Sequence, residues 1–318
     1  VKERALTDPL REAEKMKSQT ACWHFRGILR LAFTFMIASS IVPAATIGQE
    51  NRPAAGSQPQ TIRSNGSGWA AIFQGVEHQP LHVEQPRRQR GHAMRIDLRA
   101  PGVAFLVTPG NGDRPLDVDS VTTSHFLQRH ELQVAINAAP FHPVVNQEGI
   151  PQDVVGLAVS DGLLISEPNR EFGAILIDAR NQAQIVQQPP ASLEGIQHAC
   201  GGFQIILQDG KPTTEEQQPE PRSAIGISQD SRYLILLVID GRQVLHSQGA
   251  TLRETAEWLL KLGAWSGLNL DGGGSTSLAI QSSDGTAKVL NRPIHLRIPG
   301  TERPCPNHLG VRARPLEP

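Results

Sequence analysis

Leu268-Asn269-Leu270-Asp271-Gly272-Gly273-Gly274-Ser275-Thr276 is a short buried strand that delivers a carboxylate into three consecutive glycines and two hydroxyls. Three glycines remove every Cβ from the turn, so its backbone amides can approach a ligand closely and point together at an anion such as a phosphate. Ser275 and Thr276 add hydroxyl donors, and Asp271 stands fixed at the strand end. No Gly-Lys-Ser/Thr follows, so this is not a Walker phosphate loop. A bare glycine run is more often a tight turn. The acid before it and the hydroxyls after it favour a functional turn here.

Working outward, strands dominate. Trp69–Phe73, His92–Leu98 (apolar and polar in alternation), Val103–Val107 and Gln133–Asn137 read as strands, the last leading into Ala138-Ala139-Pro140-Phe141. So do Leu157–Ser160, Leu163–Ile165, Ala174–Ile177, Gln204–Leu207, Ala224–Ser228 and Tyr233–Ile239. Ser160-Asp161-Gly162 and Gln208-Asp209-Gly210 read as hairpin turns in which Gly supplies positive φ. Val121–His130 predicts a short helix. A second is announced by the capping box Thr251-x-x-Glu254, the stripe Leu252, Ala256, Leu259 and Leu260, and the closing Gly263. The expected class is α+β, a strand-rich single domain with mixed sheets and few helices.

Composition bounds the function. Thirty basic against 31 acidic residues, with no basic block interleaved with aromatics, excludes the electrostatic footprint of a nucleic-acid binder. At the N-terminus, Lys17, Arg26 and Arg30 precede an apolar run from Leu31 to Val42 that ends in Pro43-Ala44-Ala45, the pattern of a secretory signal peptide. Val42 and Ala44 suit the positions three and one before a cut. The run from Ile28 to Val42 is shorter than the roughly 20 residues that span a bilayer, so no membrane span is expected after cleavage, with a retained anchor as the alternative reading. Met16-Lys17 would make a conventional start, with residues 1–15 as an upstream extension. Removing the seven basic and four acidic residues of 1–44 leaves 23 against 27. Residues 45–68, rich in Gly, Pro, Ser, Gln and Asn, read as a flexible linker, and 69–318 as the folded domain. The expected location is secreted or periplasmic. There Cys200 and Cys305 either pair as a disulfide or stay two buried thiols.

Five ordered blocks carry a resemblance. Asn269-Leu270-Asp271-Gly272-Gly273-Gly274-Ser275-Thr276 closely resembles the signature of the phosphodiester glycosidases. Ala135-Ile136-Asn137-Ala138-Ala139-Pro140-Phe141 is similar to that family's Ala-Ile-Asn-Gly-Gly-x-Phe, and Pro221-Arg222-Ser223-Ala224-Ile225-Gly226 to its Pro-Arg-Thr-Ala-Ile-Gly. Val238-Ile239-Asp240-Gly241-Arg242, followed by Ser247, Gly249 and Thr251, resembles its Val-Val-Asp-Gly-Arg block. Asn291-Arg292-Pro293 and Arg303-Pro304 precede Asn307-His308-Leu309-Gly310-Val311. The resemblance spans roughly Trp69 to Val311. It departs at Ala138-Ala139, where Cβ atoms restrict the backbone, and at Pro140, which lacks an amide donor.

The resemblance implies a hydrolase that cleaves the glycosidic C–O bond of a sugar-1-phosphodiester or a polysaccharide carrying one. Arg222 and Arg242 are the expected phosphate ligands, because a guanidinium grips phosphate oxygens bidentately. Asp240 and Asp271 are the expected carboxylate pair, with Asn137, Gly272, Gly273, Gly274, Ser275 and Thr276 lining the substrate site. Clustered carboxylates and turn carbonyls near Asp271 also suit a divalent cation such as calcium. Bland readings stand beside these: Asp240-Gly241 as a hairpin turn, the arginines as solvated side chains, Asn137 as a turn residue, Thr251 as a helix cap and His308 as a packed histidine. Two other functions remain open, a non-catalytic carbohydrate-binding or envelope-assembly protein with the same pocket and a phosphodiesterase that cuts the P–O bond.

Overall fold

The computed structural model describes residues 68–317; the expected signal peptide lies outside them, and so does all but the last residue of the expected linker. The heptapeptide Tyr233–Ile239 explains the architecture. Its apolar run has no polar face, as expected for a strand covered on both sides. Leu234, Leu236 and Val238 join one core, whereas Ile235, Leu237 and Ile239 join another, as the period-two alternation of a strand demands.

This strand lies inside an eight-stranded antiparallel sheet. Its order is Ala70–Phe73, Val76–Val83, Gln89–Asp97, Tyr233–Ile239, Arg222–Ser228, Ala264–Asn269, Ile205–Gln208 and Lys211–Pro212. One face meets two five-stranded sheets across the larger core, in which Met94, Ile96, Ile225 and Leu268 pack with Ile136, Val311, Ile175 and Ile177. One of these sheets is built on Gly173–Asp178 and Ile196–Gly201, the other on Val134–Asn137 and His308–Arg312. The opposite face carries the second of two helices.

Among the described residues two α-helices occur, α1 (Thr123–Arg129) and α2 (Leu252–Lys261). The predicted capping box is present: Thr251 Oγ1 accepts from Glu254 N at 3.0 Å, and Glu254 Oε2 accepts from Thr251 N at 2.9 Å. Leu252, Ala256 and Leu259 of α2 bury against Ala93, Ala224, Ile235 and Leu237 of the sheet. The named strands pair antiparallel throughout, and the one parallel bridge among the described residues is the isolated contact Ile294–Thr301. Adjacent strands form hairpins such as Arg222–Ser228 with Tyr233–Ile239, while long-range pairs such as Gln89–Asp97 with Tyr233–Ile239 are antiparallel too. Both predicted hairpins form, with Asp161 and Gly162 at φ 49° and 76° and Asp209 and Gly210 at φ 50° and 70°.

Cys200 and Cys305 are two free, buried thiols, so the disulfide reading is replaced by its alternative. Cys200 sits in the strand Ile196–Gly201 facing the core, while Cys305 bridges Val121 in a different part of the fold. Burial pushes the Cys200 thiol up to about 12 and raises that of Cys305 as well.

Candidate active site

Three residues far apart in the chain meet because of strand order. Tyr233–Ile239, Arg222–Ser228 and Ala264–Asn269 are neighbours in the large sheet, and the middle one runs opposite to the other two. It therefore begins at the edge where its neighbours end. Arg222 opens the middle strand, Arg242 follows the end of one neighbour and Asp271 follows the end of the other. The ladder continues past the strands: Leu270 N donates to Ser223 O at 2.9 Å and Gly273 N to Pro221 O at 2.9 Å.

A cavity of about 420 Å³ opens at this edge, lined by Arg222, Arg242, Arg303, Glu216, Glu220, Asn269, Asp271 and Gly272–Gly274, with Phe203 and Leu252 as apolar wall. Its volume lies in the ordinary range for small-molecule sites, about 300–1,000 Å³. Leu252 opens α2, so the positive end of that helix also faces the cavity.

Arg222 is held on one side only. Its Nε donates to Ala250 O at 2.9 Å, and its Nη2 donates to Glu216 Oε2 at 2.9 Å and to Gln218 O at 2.8 Å. Nη1 has no protein acceptor among the described residues. Burial lowers the Arg222 pKa from its ordinary value, an effect that Glu216 and Glu220 oppose. Arg242 donates from Nε to Glu220 Oε2 at 2.5 Å, which leaves its two terminal nitrogens over Gly273. Glu216 and Glu220 both come from the acidic strap that precedes Arg222, and Glu216 also accepts from Leu252 N at the start of α2 at 3.2 Å.

The glycine run does a different job from the expected one. Gly273 N, Ser275 N and Thr276 N all donate to backbone carbonyls, and Gly272 N serves the Asp271 carboxylate. Among the described residues only Gly274 of this turn keeps a free amide, so the anion site is not a nest of backbone donors. The glycines instead make room for the groups packed against the turn, side chains at Gly273 and Gly274 and backbone at Gly272. A Cβ on Gly274 would lie 2.4 Å from Arg303 Nη2, and one on Gly272 would lie 2.6 Å from Pro221 O. Gly273, at φ +62°, would bring its Cβ 3.1 Å from Arg242 Nη2.

Asp271 is partly exposed at the floor of this cavity. Burial pushes its carboxyl up to about 6, against the opposing pull of Ser275, Arg303 and the Gly272 amide. A carboxylate with a pKa near 6 is largely ionised at neutral pH yet basic enough to accept a proton, which suits a general base. Arg303 donates from Nη1 to Ser275 Oγ at 3.1 Å and from Nε to His295 Nδ1 at 3.1 Å, so it is fixed beside the acid. Removing its charge, as in Arg303→Met, takes away an influence that lowers the Asp271 pKa. The limb of the pH–rate profile set by Asp271 should then move above about pH 6, as read from kcat/KM across the acid and neutral range.

Asp240 and Asn137 do not line the cavity. The Asp240 carboxylate faces His246 Nε2 at 2.8 Å, Asn291 Nδ2 at 3.0 Å and Arg292 N at 2.9 Å. It is 3% exposed and ties the Arg242 loop to Asn291-Arg292, so it holds the Arg242 loop in place instead of pairing with Asp271. Asn137 donates from Nδ2 to Asp271 O at 2.6 Å, and its Oδ1 accepts from Ser223 Oγ at 2.7 Å and Ser277 N at 3.1 Å. It is a buried clamp on the turn, outside the cavity lining where a sugar ligand is expected. Replacing it by Ala would leave those three partners unpaired, and we expect a loss of about 2–4 kcal/mol in urea unfolding. Ala138, Ala139 and Pro140 are buried behind the turn, so the departure from the family pattern lies away from the cavity. Ser275 reaches Asp271 and Arg303, while Thr276 is buried and outside the cavity lining. Thr251 is the helix cap, and His308 is buried and stacked on Phe126.

Among the described residues no group of three or more His, Cys, Asp or Glu side chains is placed to hold a metal ion. The groups that pull on the Asp271 carboxyl are the Ser275 hydroxyl, the Arg303 guanidinium and the Gly272 amide.

A sequence profile of the phosphodiester glycosidases matches residues 130–312. The chain belongs to this family. No curated protein sequence matches it. Among solved structures, the catalytic domain of zebrafish N-acetylglucosamine-1-phosphodiester alpha-N-acetylglucosaminidase, auto-inhibited by its pro-peptide, superposes with a TM-score of 0.57 at 17% identity, over 81% of this chain and 87% of that one. A hypothetical protein from Synechocystis superposes with a TM-score of 0.58 at 18% identity. That match covers 76% of this chain, which spans 62% of the Synechocystis protein's length. At these identities the likeness speaks for the fold. Within the phosphodiester glycosidase frame, Arg222, Arg242 and the Asp271 turn meet as the sequence suggests. Arg303 and the strap glutamates are not assigned from sequence. Arg303 stands in a resembling block, but nothing in its spacing ties it to Asp271.

Proposed function

We propose that this phosphodiester glycosidase is an exported hydrolase that cleaves the anomeric C–O bond of a sugar-1-phosphodiester. One observation supports this above the rest: three guanidinium groups and an acid of raised pKa line a single cavity. The name of the zebrafish relative specifies a substrate of this class. In this reading the phosphate sits between Nη1 of Arg222 and the terminal nitrogens of Arg242, where charge-assisted bonds are strongest. The leaving group is a phosphate monoester, whose second pKa near ~6 lets it depart with little help from an acid. Asp271 then takes the proton of the attacking water or attacks the anomeric carbon itself. Arg303 and Ser275 orient its carboxylate for either role. Asp240 has no part in the step except through the loop that carries Arg242. Export rests on the basic and apolar pattern of residues 17–45. N-terminal sequencing of protein recovered outside the cytoplasm tests it.

The bond cleaved is decided by hydrolysis in ¹⁸O-water. Label in the released sugar supports C–O cleavage; label in the phosphate makes the protein a phosphodiesterase; binding without release makes it a carbohydrate-binding protein.

A further inference from the structure

Asn269 stands two residues before Asp271 and lines the same cavity. Alternate residues of a strand share a face, so Asn269 and Asp271 both turn toward the cavity while Leu270, between them, is fully buried in the core. Asn269 is only 4% exposed, and its side-chain amide makes no hydrogen bond among the described residues; Oδ1 in particular is sealed and unpartnered. Its backbone is fully engaged, with N donating to Gln204 O and O accepting from Phe203 N. A buried amide with both its donor and its acceptor unused is uncommon in a folded protein and calls for a partner. The cavity is where that partner can come from.

We infer that Asn269 is the residue that selects the sugar, by donating a hydrogen bond from its amide nitrogen to the polar substituent next to the anomeric carbon. This rests on the proposed activity at Asp271. Residues two apart on a strand stand about 6.6 Å apart along it, so a ring whose anomeric carbon meets Asp271 extends its neighbouring carbons toward Asn269. The amide nitrogen, the end that is not sealed, is a donor without a partner. It therefore matches the oxygen of a hydroxyl and the C=O of an acylamino group. It has no match in a deoxy carbon. Asn269 is a specificity-determining residue in this reading, and the bond-breaking groups are Asp271 and the arginines.

The test uses the whole protein and three probes: glucose 1-phosphate, its 2-acetamido analogue and its 2-deoxy analogue, with the methyl phosphodiester of each. Affinity is read by calorimetry for the monoesters and kcat/KM for the diesters. The wild type should favour a 2-hydroxyl or 2-acetamido substrate over the 2-deoxy one by about 10–100-fold, the cost of leaving a buried polar group unpaired. Whichever of the two is preferred names the substituent. Asn269→Ala and the near-isosteric Asn269→Leu should reduce that ratio to about 3-fold or less. The loss should fall more heavily on the 2-hydroxyl and 2-acetamido substrates than on the deoxy one. A wild type indifferent to the 2-substituent overturns the inference, and so does a ratio that survives in a folded variant. The wild-type ratio needs no mutant, so it decides the matter even if both variants misfold. Absence of any turnover would count against the proposed activity instead, and the calorimetric ratio would then judge Asn269 alone.

Discussion

Asp271→Asn should lower kcat by about 10²–10⁴-fold, the share that a positioned acid–base group ordinarily supplies. The substitution keeps the shape of the side chain and an oxygen for Ser275, so the turn should hold its geometry. Stability gives an independent check with a definite sign. The native carboxyl, near 6, lies above its ordinary value of 3.8, so the folded state binds the proton more tightly than the unfolded chain does. Its favourable contribution is present below about pH 4 and is lost as pH rises through about 6. Asparagine removes that slope. Thermal melts at about pH 4 and about pH 8 should show the variant gaining on the wild type at the higher pH. Turnover equal to the wild type's would take Asp271 out of the chemistry.

Arg242→Ala should raise KM for a glycosyl phosphodiester by about 10–100-fold, as expected for losing charge-assisted hydrogen bonds to an anion. The side chain is 44% exposed and has one ion pair, to Glu220, so its removal should leave the melting temperature close to that of the wild type. Arg222→Ala should cost at least as much in binding and should also lower stability, because Gln218 O loses its donor and Ala250 O and Glu216 Oε2 each lose one of two. Arg242→Lys tests the geometry separately. A single ammonium keeps the charge but loses the planar fork, so it should recover only part of the affinity. Unaltered KM in both alanine variants would show that the phosphate binds elsewhere.

Much of this is legible in the sequence where a local rule acts. The capping box at Thr251 and Glu254, the Asp-Gly hairpins and the apolar run of Tyr233–Ile239 each announce their structure through neighbours in the chain. Long-range facts are less accessible. That Asp240 is spent outside the cavity depends on Asn291 and Arg292, some fifty residues on, filling its lone pairs. The role of the glycines is hidden for a similar reason. Their Cβ-free surface faces Arg303 and Arg242, whose position is set by tertiary packing, whereas the turn's own amides are consumed by Pro221 and by each other. Asn269 is within reach of the alternation rule, since it shares a face with Asp271. What the sequence does not display is that its amide lacks a partner.

The common sheet edge from which Arg222, Arg242 and Asp271 emerge has a consequence for how the protein can diversify. Their spacing is fixed by two adjacent hydrogen-bonded ladders, so it can change only if whole strands shear past each other, which would unseat both hydrophobic cores. Insertions in the connecting loops leave it untouched. Descendants of such a scaffold can therefore vary the rim, and with it the aglycone they accept, while the distance from anion to acid stays constant.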